Sequence, residues 1–328
     1  MTYKNKVKAG ILLTGIIFSF TNCVKGVSGK TTHPQHEIWV NDVGANGSDT
    51  LNDTWAFQKA IDSMAELGGG MVKVRAGKYY IDADSSIKMK SNVTLQLFDT
   101  ARQLLAIPTY SGRYNIISIK SVNHVSVNGG KIVGEREKHL GPECAHKCEQ
   151  GYGISISGSK NIKITGTSIT KCWGDGIVLY GAAGVDCKNI TLFKVTCDNN
   201  RRQALSILNG DSILVDSCIL INTGGTAPQD GIDIEPDAGS VQNVVIKNCL
   251  ISNNAGNGVE MNAKPTTSAV IKNITVQKNI IEYSKYAGYI QHASNVEFTF
   301  NTFRKIKYLP HLHANDCMNC TLDDNMDQ

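Results

Sequence analysis

Six short motifs recur along the chain, each placing apolar residues on alternate positions after a glycine or alanine: GYGISIS, GDGIVLY, RQALSIL, QDGIDIE, GNGVEMN and YAGYIQH. Aligned on Gly153, Gly176, Ala204, Gly231, Gly258 and Gly288, they are spaced 23, 28, 27, 27 and 30 residues apart. A second apolar run follows in the repeats (NITLFKV, SILVDSC, NVVIKNC, NITVQKN). Self-similarity at this period is a solenoid signature, because one unit cannot bury its apolar face until it stacks on the next. The runs are short and alternate with period two, and helical periodicity is absent from about residue 92 onward. Three short strands per turn with no helix between them predict an all-β fold, a β-helix.

The chain before the repeats reads differently. Lys4, Lys6 and Lys8 precede an apolar run from Ala9 to Phe20, the pattern of a signal peptide over 1–22. Cys23 in FTNC resembles a loose bacterial lipobox, so Cys23 is the expected lipidation site, with plain secretion as the alternative. The expected localisation is a bacterial envelope lipoprotein or a secreted protein, touching membrane only through the anchor. Residues 23–36 read as a tether, and 37–328 as one domain with a cap over 37–91, coils over 92–305 and a tail over 306–328. In the cap, DTWAFQKAIDSMAELGGG predicts a helix with Asp53 as N-cap, a stripe of Phe57, Ala60, Ile61, Met64 and Leu67, and a stop at Gly68.

Charge bears on partners. The net charge is +4, but residues 1–22 carry three Lys and no acid, and the remainder has 30 basic and 29 acidic residues. A near-neutral chain argues against nucleic acid as a partner. Ten cysteines in an exported chain suggest disulfides. Cys197, Cys218 and Cys249 recur within the repeats and read instead as a buried stack; Cys144/Cys148 and Cys317/Cys320 are the candidates for pairing. The tail HLHANDCMNC also offers His311, His313, Cys317 and Cys320 to a zinc ion, at a spacing that matches no standard site.

Stacking turns the alignment into a map, because equivalent residues of successive coils sit about 4.8 Å apart. One outward column reads Ser155, Val178, Ser206, Asp233, Glu260, Ile290, and the next Ser157, Tyr180, Leu208, Glu235, Asn262, His292. The row before the glycine reads Tyr152, Asp175, Gln203, Asp230, Asn257, Ala287, with Arg201 and Arg202 just ahead of Gln203. An acid on an exposed rung is ordinarily solvated, and Asp before Gly is ordinary turn chemistry. Here carboxylates distant in sequence converge on one face. Asp230, Asp233, Glu260 and Asp175 are the candidate acid/base groups. Arg201, Arg202, Gln203 and Glu235 are candidate substrate-binding groups, with Trp173 and Tyr180 as ring-stacking or covering residues. Asn253, Asn254 and Asn257 read as turn residues or an internal asparagine ladder. The polar stretch 134–151 reads as a loop walling the groove.

The segment DVGANGSDTLNDTWAFQKAIDSMAELGGGMVKVRAGKYYI, followed by Asn-rich coils with GDGI, GNGV and KNI turns, resembles the pectate-lyase-like superfamily of right-handed parallel β-helices. That superfamily includes pectate lyases, polygalacturonase-type hydrolases and phage tailspikes. The resemblance covers roughly residues 38–305 and implies a right-handed parallel β-helix with an N-terminal capping helix. It implies a polysaccharide as partner. The hydrolases' paired-Asp, GHG and RIK motifs are not reproduced on the rungs, where GDG (174–176) and QDGID (229–233) stand, so the resemblance brings a fold and a face but no catalytic triad.

Two carboxyl groups suffice for glycoside hydrolysis, one as acid and one as base or nucleophile, and crowding raises the pKa of some of them. Two arginines beside them suit a uronate-containing chain. Hydrolysis of an acidic polysaccharide, requiring no cofactor, is the leading expectation. The alternative is β-elimination with Ca²⁺ at Asp233, Glu235 and Glu260, in which Arg201 or Arg202 would by resemblance be the base. A non-catalytic glycan-binding or surface-structural β-helix is the third.

Overall fold

The computed structural model describes residues 36–142, 148–264 and 268–328. The proposed signal peptide, Cys23 and most of the tether fall outside them, as does Cys144. Among the described residues no helix is long and apolar enough to cross a membrane.

The expected helix forms at Thr54–Glu66 and buries Phe57, Ala60, Ile61 and Met64 against the first strands. Its ends differ from expectation. Asp53 occupies the N-cap position but makes no side-chain cap bond. Its carboxylate instead accepts from the backbone N–H of Asn46 (2.8 Å) and Tyr80 (3.2 Å), tying the helix start to the first coil, while Asn52 accepts from the Thr54 N–H (2.9 Å). Leu67 is 55 % exposed and not part of the stripe, since the helix has ended at Glu66.

Among the described residues, the pairings between strands from Glu37 onward are parallel and join one coil to the next, as in a right-handed parallel β-helix. One side of the solenoid stacks Gln150–Ser157, Ile177–Tyr180, Leu205–Ile207, Ile232–Ile234, Val259–Asn262 and Gly288–Thr299. A second side includes Lys188–Phe193, Gly210–Asp216 and Ser240–Lys247. The third is a ten-stranded sheet of short strands such as Thr196–Asp198 and Ile219–Ile221. The alternation puts Ile154, Ile177, Leu205, Ile232 and Val259 into one unbroken apolar column, all fully buried. Burial of such β-branched and leucine side chains is worth about 1.5–3 kcal/mol each. Stacking is therefore what holds a coil that has no core of its own.

The glycine that anchors the alignment sits at a tight corner. A Cβ on Gly231 would lie 2.4 Å from Ile251 Cγ2 and 2.7 Å from the Gly258 carbonyl oxygen. Alanine nevertheless stands at this corner twice. The register aligns Val259 with Gly288, so Ala287, not Gly288, is the partner of Gly258. The last repeat is thus displaced by one residue from the sequence alignment. With period two, such a slip reverses every side chain. Ile290 is fully buried, and the outward columns continue as Tyr289 and Gln291 in place of Ile290 and His292. The row before the glycine ends in Tyr286 in place of Ala287.

Two further differences concern the ends and the cysteines. Residues 306–328, expected as a tail, form another coil: Leu312–Met318 pairs with Gly288–Thr299, and Met326–Asp327 pairs with Thr302–Arg304. Coil strands likewise begin inside the expected cap, at Gly70–Lys73. Cys218 and Cys249 stack, the Cys218 N–H pointing at Cys249 Sγ (3.4 Å). Cys197 is buried but aligns with Leu220 and not Cys218, because VTCD enters its strand two residues earlier. Cys317 and Cys320 are disulfide-bonded, with Cα atoms 5.9 Å apart, so their sulfurs are not free to ligate zinc. Cys148 is also disulfide-bonded.

Candidate active site

The register brings the predicted carboxylates together. Asp233 pairs with Ser206 on one side and Glu260 on the other, and Asp230 and Asn257 precede their glycines on adjacent coils. Asp233 points outward from a strand whose isoleucines point inward. Even so, Asp175, Asp230 and Asp233 are each 0 % exposed, so the solvated-face reading does not hold for them. Glu260 and Glu235 beside them are only half-buried. Those two, with exposed Asp237, are the acids of the cluster that reach solvent.

Each buried acid has different partners. Asp175 is fully paired: it accepts from the Ser206 hydroxyl (2.8 Å), the Gln203 N–H (3.2 Å) and the Arg202 guanidinium (3.3 Å). Burial raises its pKa, and Arg202 and these donors pull it back. This makes Asp175 the anchor of Arg202 and not a group presented to substrate. Gln203, also sealed, bridges the other two acids. Its Nε2 donates to Asp233 (3.0 Å), and its Oε1 accepts from the Asp230 N–H (2.6 Å). It is a link inside the cluster, not a substrate contact.

Asp230 and Asp233 are each left with an unmet oxygen. Asp233 Oδ1 and Asp230 Oδ2 are buried with no donor. Burial, then the charges of Glu235 and Glu260, hold the Asp233 pKa well above the usual carboxylate range, against Arg202. Burial and the adjacent Glu260 carboxylate raise Asp230 as strongly. Asn257 bridges Asp230 and Glu260, its N–H donating to Asp230 (2.5 Å) and its Nδ2 to Glu260 (2.8 Å). Glu260 also accepts from Asn262 Nδ2 (3.4 Å). Burial also raises Glu235, opposed by Lys264 and reinforced by Glu260. The arrangement is two half-buried carboxyl groups, Glu235 and Glu260, beside buried acids whose pKa values are raised.

The arginines do not present themselves as expected. Arg201 is 6 % exposed, its guanidinium 3.8 Å from the centre of the Trp173 ring. On the opposite side His139 stacks on Trp173 (3.8 Å, 16°), and Nδ1 of His139 lies 3.0 Å from Glu135. Trp173 is thereby enclosed between a cation and an imidazole and offers no face to a sugar. From the start of the segment 134–151, Glu135 and His139 thus turn inward. Arg202 pairs with Asp175 and lies 3.8 Å from Glu149. Burial lowers its pKa, but Asp175, Asp233 and Glu149 together raise it above the ordinary value, the opposite of what a proton-abstracting arginine needs. Among the described residues no group of three or more His, Cys, Asp or Glu side chains is arranged to hold a metal ion.

Tyr180 is half-buried and shares a groove of about 490 Å³ with Gln150, Tyr152, Gly181, Leu208, Asn209 and Asp237, on the N-terminal side of the acids. On the C-terminal side stand residues that the alignment missed: Tyr286, Tyr289, Tyr308 and His313. Ring-to-ring distances of 4.9–5.7 Å link them. The one-residue slip hid Tyr289 behind Ile290, and the coil that carries His313 lay in the expected tail. An alanine read as the repeat corner at 287 would have placed Tyr289 on the outward column.

Residues 115–325 match the family model described as a right handed beta helix region. The chain belongs to the right-handed β-helix family. Over 217 residues it is 29 % identical to the SPbeta prophage-derived uncharacterized protein YorA of Bacillus subtilis (strain 168), covering 59 % of this chain and 37 % of YorA. It thus spans about a third of the length of that relative. The N-terminal fragment of bacteriophage Phi29 gene product 12 shares the fold with a TM-score of 0.61 at 14 % identity, over 86 % of this chain and 57 % of that one. So does tailspike gp49 of Acinetobacter baumannii bacteriophage Fri1, a capsular polysaccharide depolymerase, with a TM-score of 0.56 at 17 % identity over 87 % and 57 %.

Proposed function

We propose that this β-helix hydrolyses a polysaccharide, with Glu235 and Glu260 as the two carboxyl groups that meet the substrate and Asp230 as the buried acid beside Glu260. The observation that carries the reading is that Asn257 donates to both Asp230 and Glu260, which holds a buried acid with a raised pKa beside a half-buried one on the outer face of the sheet. Burial and the charge of Glu260 raise the Asp230 pKa and so favour a proton on Asp230. Glu235, its pKa raised by burial, then protonates the leaving glycosidic oxygen. Glu260 supplies the negative charge opposite, as nucleophile or as base to the attacking water. Tailspike gp49, which shares the scaffold, is a capsular polysaccharide depolymerase.

An uncharged sugar at the bond cleaved fits this site better than a uronate. Five carboxyl groups (Asp175, Asp230, Asp233, Glu235, Glu260) converge there. Arg201 is committed to Trp173, Arg202 to Asp175, and Lys264 to Asp237. A substrate carboxylate would join acids without a cation of its own.

The test is a reducing-end assay on neutral and uronate polysaccharides, with ultraviolet absorbance of unsaturated ends followed in parallel. Glu260→Gln and Glu235→Gln should each lower the rate on the order of 10²–10⁴-fold. Asp230→Asn should keep part of the rate while displacing its pH profile. Release of unsaturated ends, or full activity in Glu260→Gln, would sink the hydrolytic reading.

A further inference from the structure

The outward columns that carry the acids do not stop at Glu260; they change chemistry. The register aligns Glu260 with Tyr289 and Tyr289 with His313. Tyr286 occupies the next coil of the row that holds Asp230 and Asn257. Tyr289 and His313 are stacked at 4.9 Å and 12°, Tyr286 lies 5.7 Å from each, and Tyr308 extends the group 5.3 Å beyond Tyr286. The four rings are half-buried or exposed, Tyr308 at 39 %.

A folding role explains part of this group. Stacked rings on neighbouring rungs stabilise a sheet edge as cross-strand pairs do. It does not explain why four rings gather on the one outward face that continues the acid columns. Nor does it explain the rim. Gln291 Nε2 donates to the Tyr289 hydroxyl (2.6 Å), and on the preceding coil the Asn257 and Asn262 amides donate to Glu260. Ring faces bordered by amides and hydroxyls suit a ligand with apolar C–H faces and a hydroxylated edge, which is a sugar ring. Lys307 Nζ sits 4.9 Å from the Tyr308 ring and is the cation at the far end of the platform.

We propose that Tyr286, Tyr289, Tyr308 and His313 form a sugar-stacking subsite, so that a glycan lies along the solenoid axis with Glu235 and Glu260 inside its length. The inference rests on reading the groove as polysaccharide-cleaving. On the other side of the acids the Tyr152–Tyr180 groove gives the chain room to continue. Cleavage is then internal to the polymer, and the platform contributes to holding long chains more than to the chemical step.

The experiment is native gel electrophoresis of the full chain through gels holding xylan, a soluble β-glucan, polygalacturonate or alginate. Wild type should be retarded in at least one of them. Tyr286→Ala/Tyr289→Ala should weaken that retardation about tenfold, while Tyr289→Phe, which keeps the ring, should retain it. Retardation confined to uronate gels but lost in the double variant still supports the platform, and overturns only the preference for an uncharged sugar. Equal retardation of wild type and double variant, with matching circular dichroism, overturns the platform. So does retardation in none of the four gels. The Glu260→Gln rate measurement stands apart from mobility, so the platform can fail while the hydrolytic reading survives, and the reverse.

Discussion

Two buried polar rows run along this solenoid, and they are built on opposite principles. Inside the apolar core, Cys218, Cys249, Asn279, Asn301 and Asn325 form a ladder. Each offers its backbone N–H to the side chain of the next: Cys249 to Asn279 (2.9 Å), Asn279 to Asn301 (3.0 Å), Asn301 to Asn325 (3.0 Å). The amide nitrogens return to backbone carbonyls, as Asn301 does to Val276 (2.9 Å) and Thr299 (3.1 Å). On the acid face, Asp230 and Asp233 keep oxygens with no donor, and a carboxylate faces a carboxylate. The ladder is polarity fully spent on architecture. The acid cluster is polarity held in reserve, the condition expected where a proton is to be moved or a ligand received.

The contrast breaks hardest at the one acid that behaves like the ladder. Asp175 is satisfied, and Arg202 is its charge partner. Removing that cation leaves a buried carboxylate with neutral donors alone. Arg202→Leu should therefore destabilise the chain by about 3–5 kcal/mol, read as a lower midpoint in urea. Had Asp175 been a reserve acid like Asp233, the same substitution would cost little.

The ladder comes next. Asn301→Ala removes the acceptor for the Asn279 N–H and the donor to two carbonyls in a fully buried site. With each orphaned group costing about 1–3 kcal/mol, a loss of roughly 2–4 kcal/mol in chemical denaturation is expected, with no direct change at the distant acids. A loss below ~1 kcal/mol would show that water replaces the amide and that the ladder is not structural.

What the sequence carried, and what it did not, divides along the same line. The coils were legible because alternation and period are local properties, and QDGIDIE next to GNGVEMN placed Asp233 beside Glu260 as the register has them. The exchange of Gly for Ala at residue 287 was not legible. A corner tight enough to favour glycine still admits alanine, and YAGYIQH offers a glycine one residue later. That single displacement concealed Tyr286 and Tyr289. Burial on the outer face was also hidden. Asp233 lies on the side an exposed rung would present to water, yet it is sealed, with Gln203 donating to it. Arg201 and Trp173 looked like ligand-facing residues, because nothing local shows that His139 folds back from the loop to complete the stack.

The smallest effect is the most diagnostic of a reserve. Burial and the nearby acids raise the Asp233 pKa, so the folded chain keeps a proton there that the unfolded chain loses near the ordinary value of 3.8. The stability tied to that proton is complete below 3.8 and declines as pH rises through the folded-state value. Asp230, Asp175 and Glu235 are raised and act in the same direction. Asp99, Asp211 and Asp216 are lowered, so their stabilisation is lost only on descending below the ordinary range. Above pH 4 the raised group dominates, and the melting temperature of wild type should fall with rising pH. Asp233→Asn removes one titrating member while its amide oxygen still accepts from Gln203. The slope should flatten, with a gain at alkaline pH on the order of 1 kcal/mol, or about 2–4 °C. Parallel curves for wild type and variant would mean that Asp233 is stabilised as an ion by partners other than those seen around it, and that it is no reserve at all.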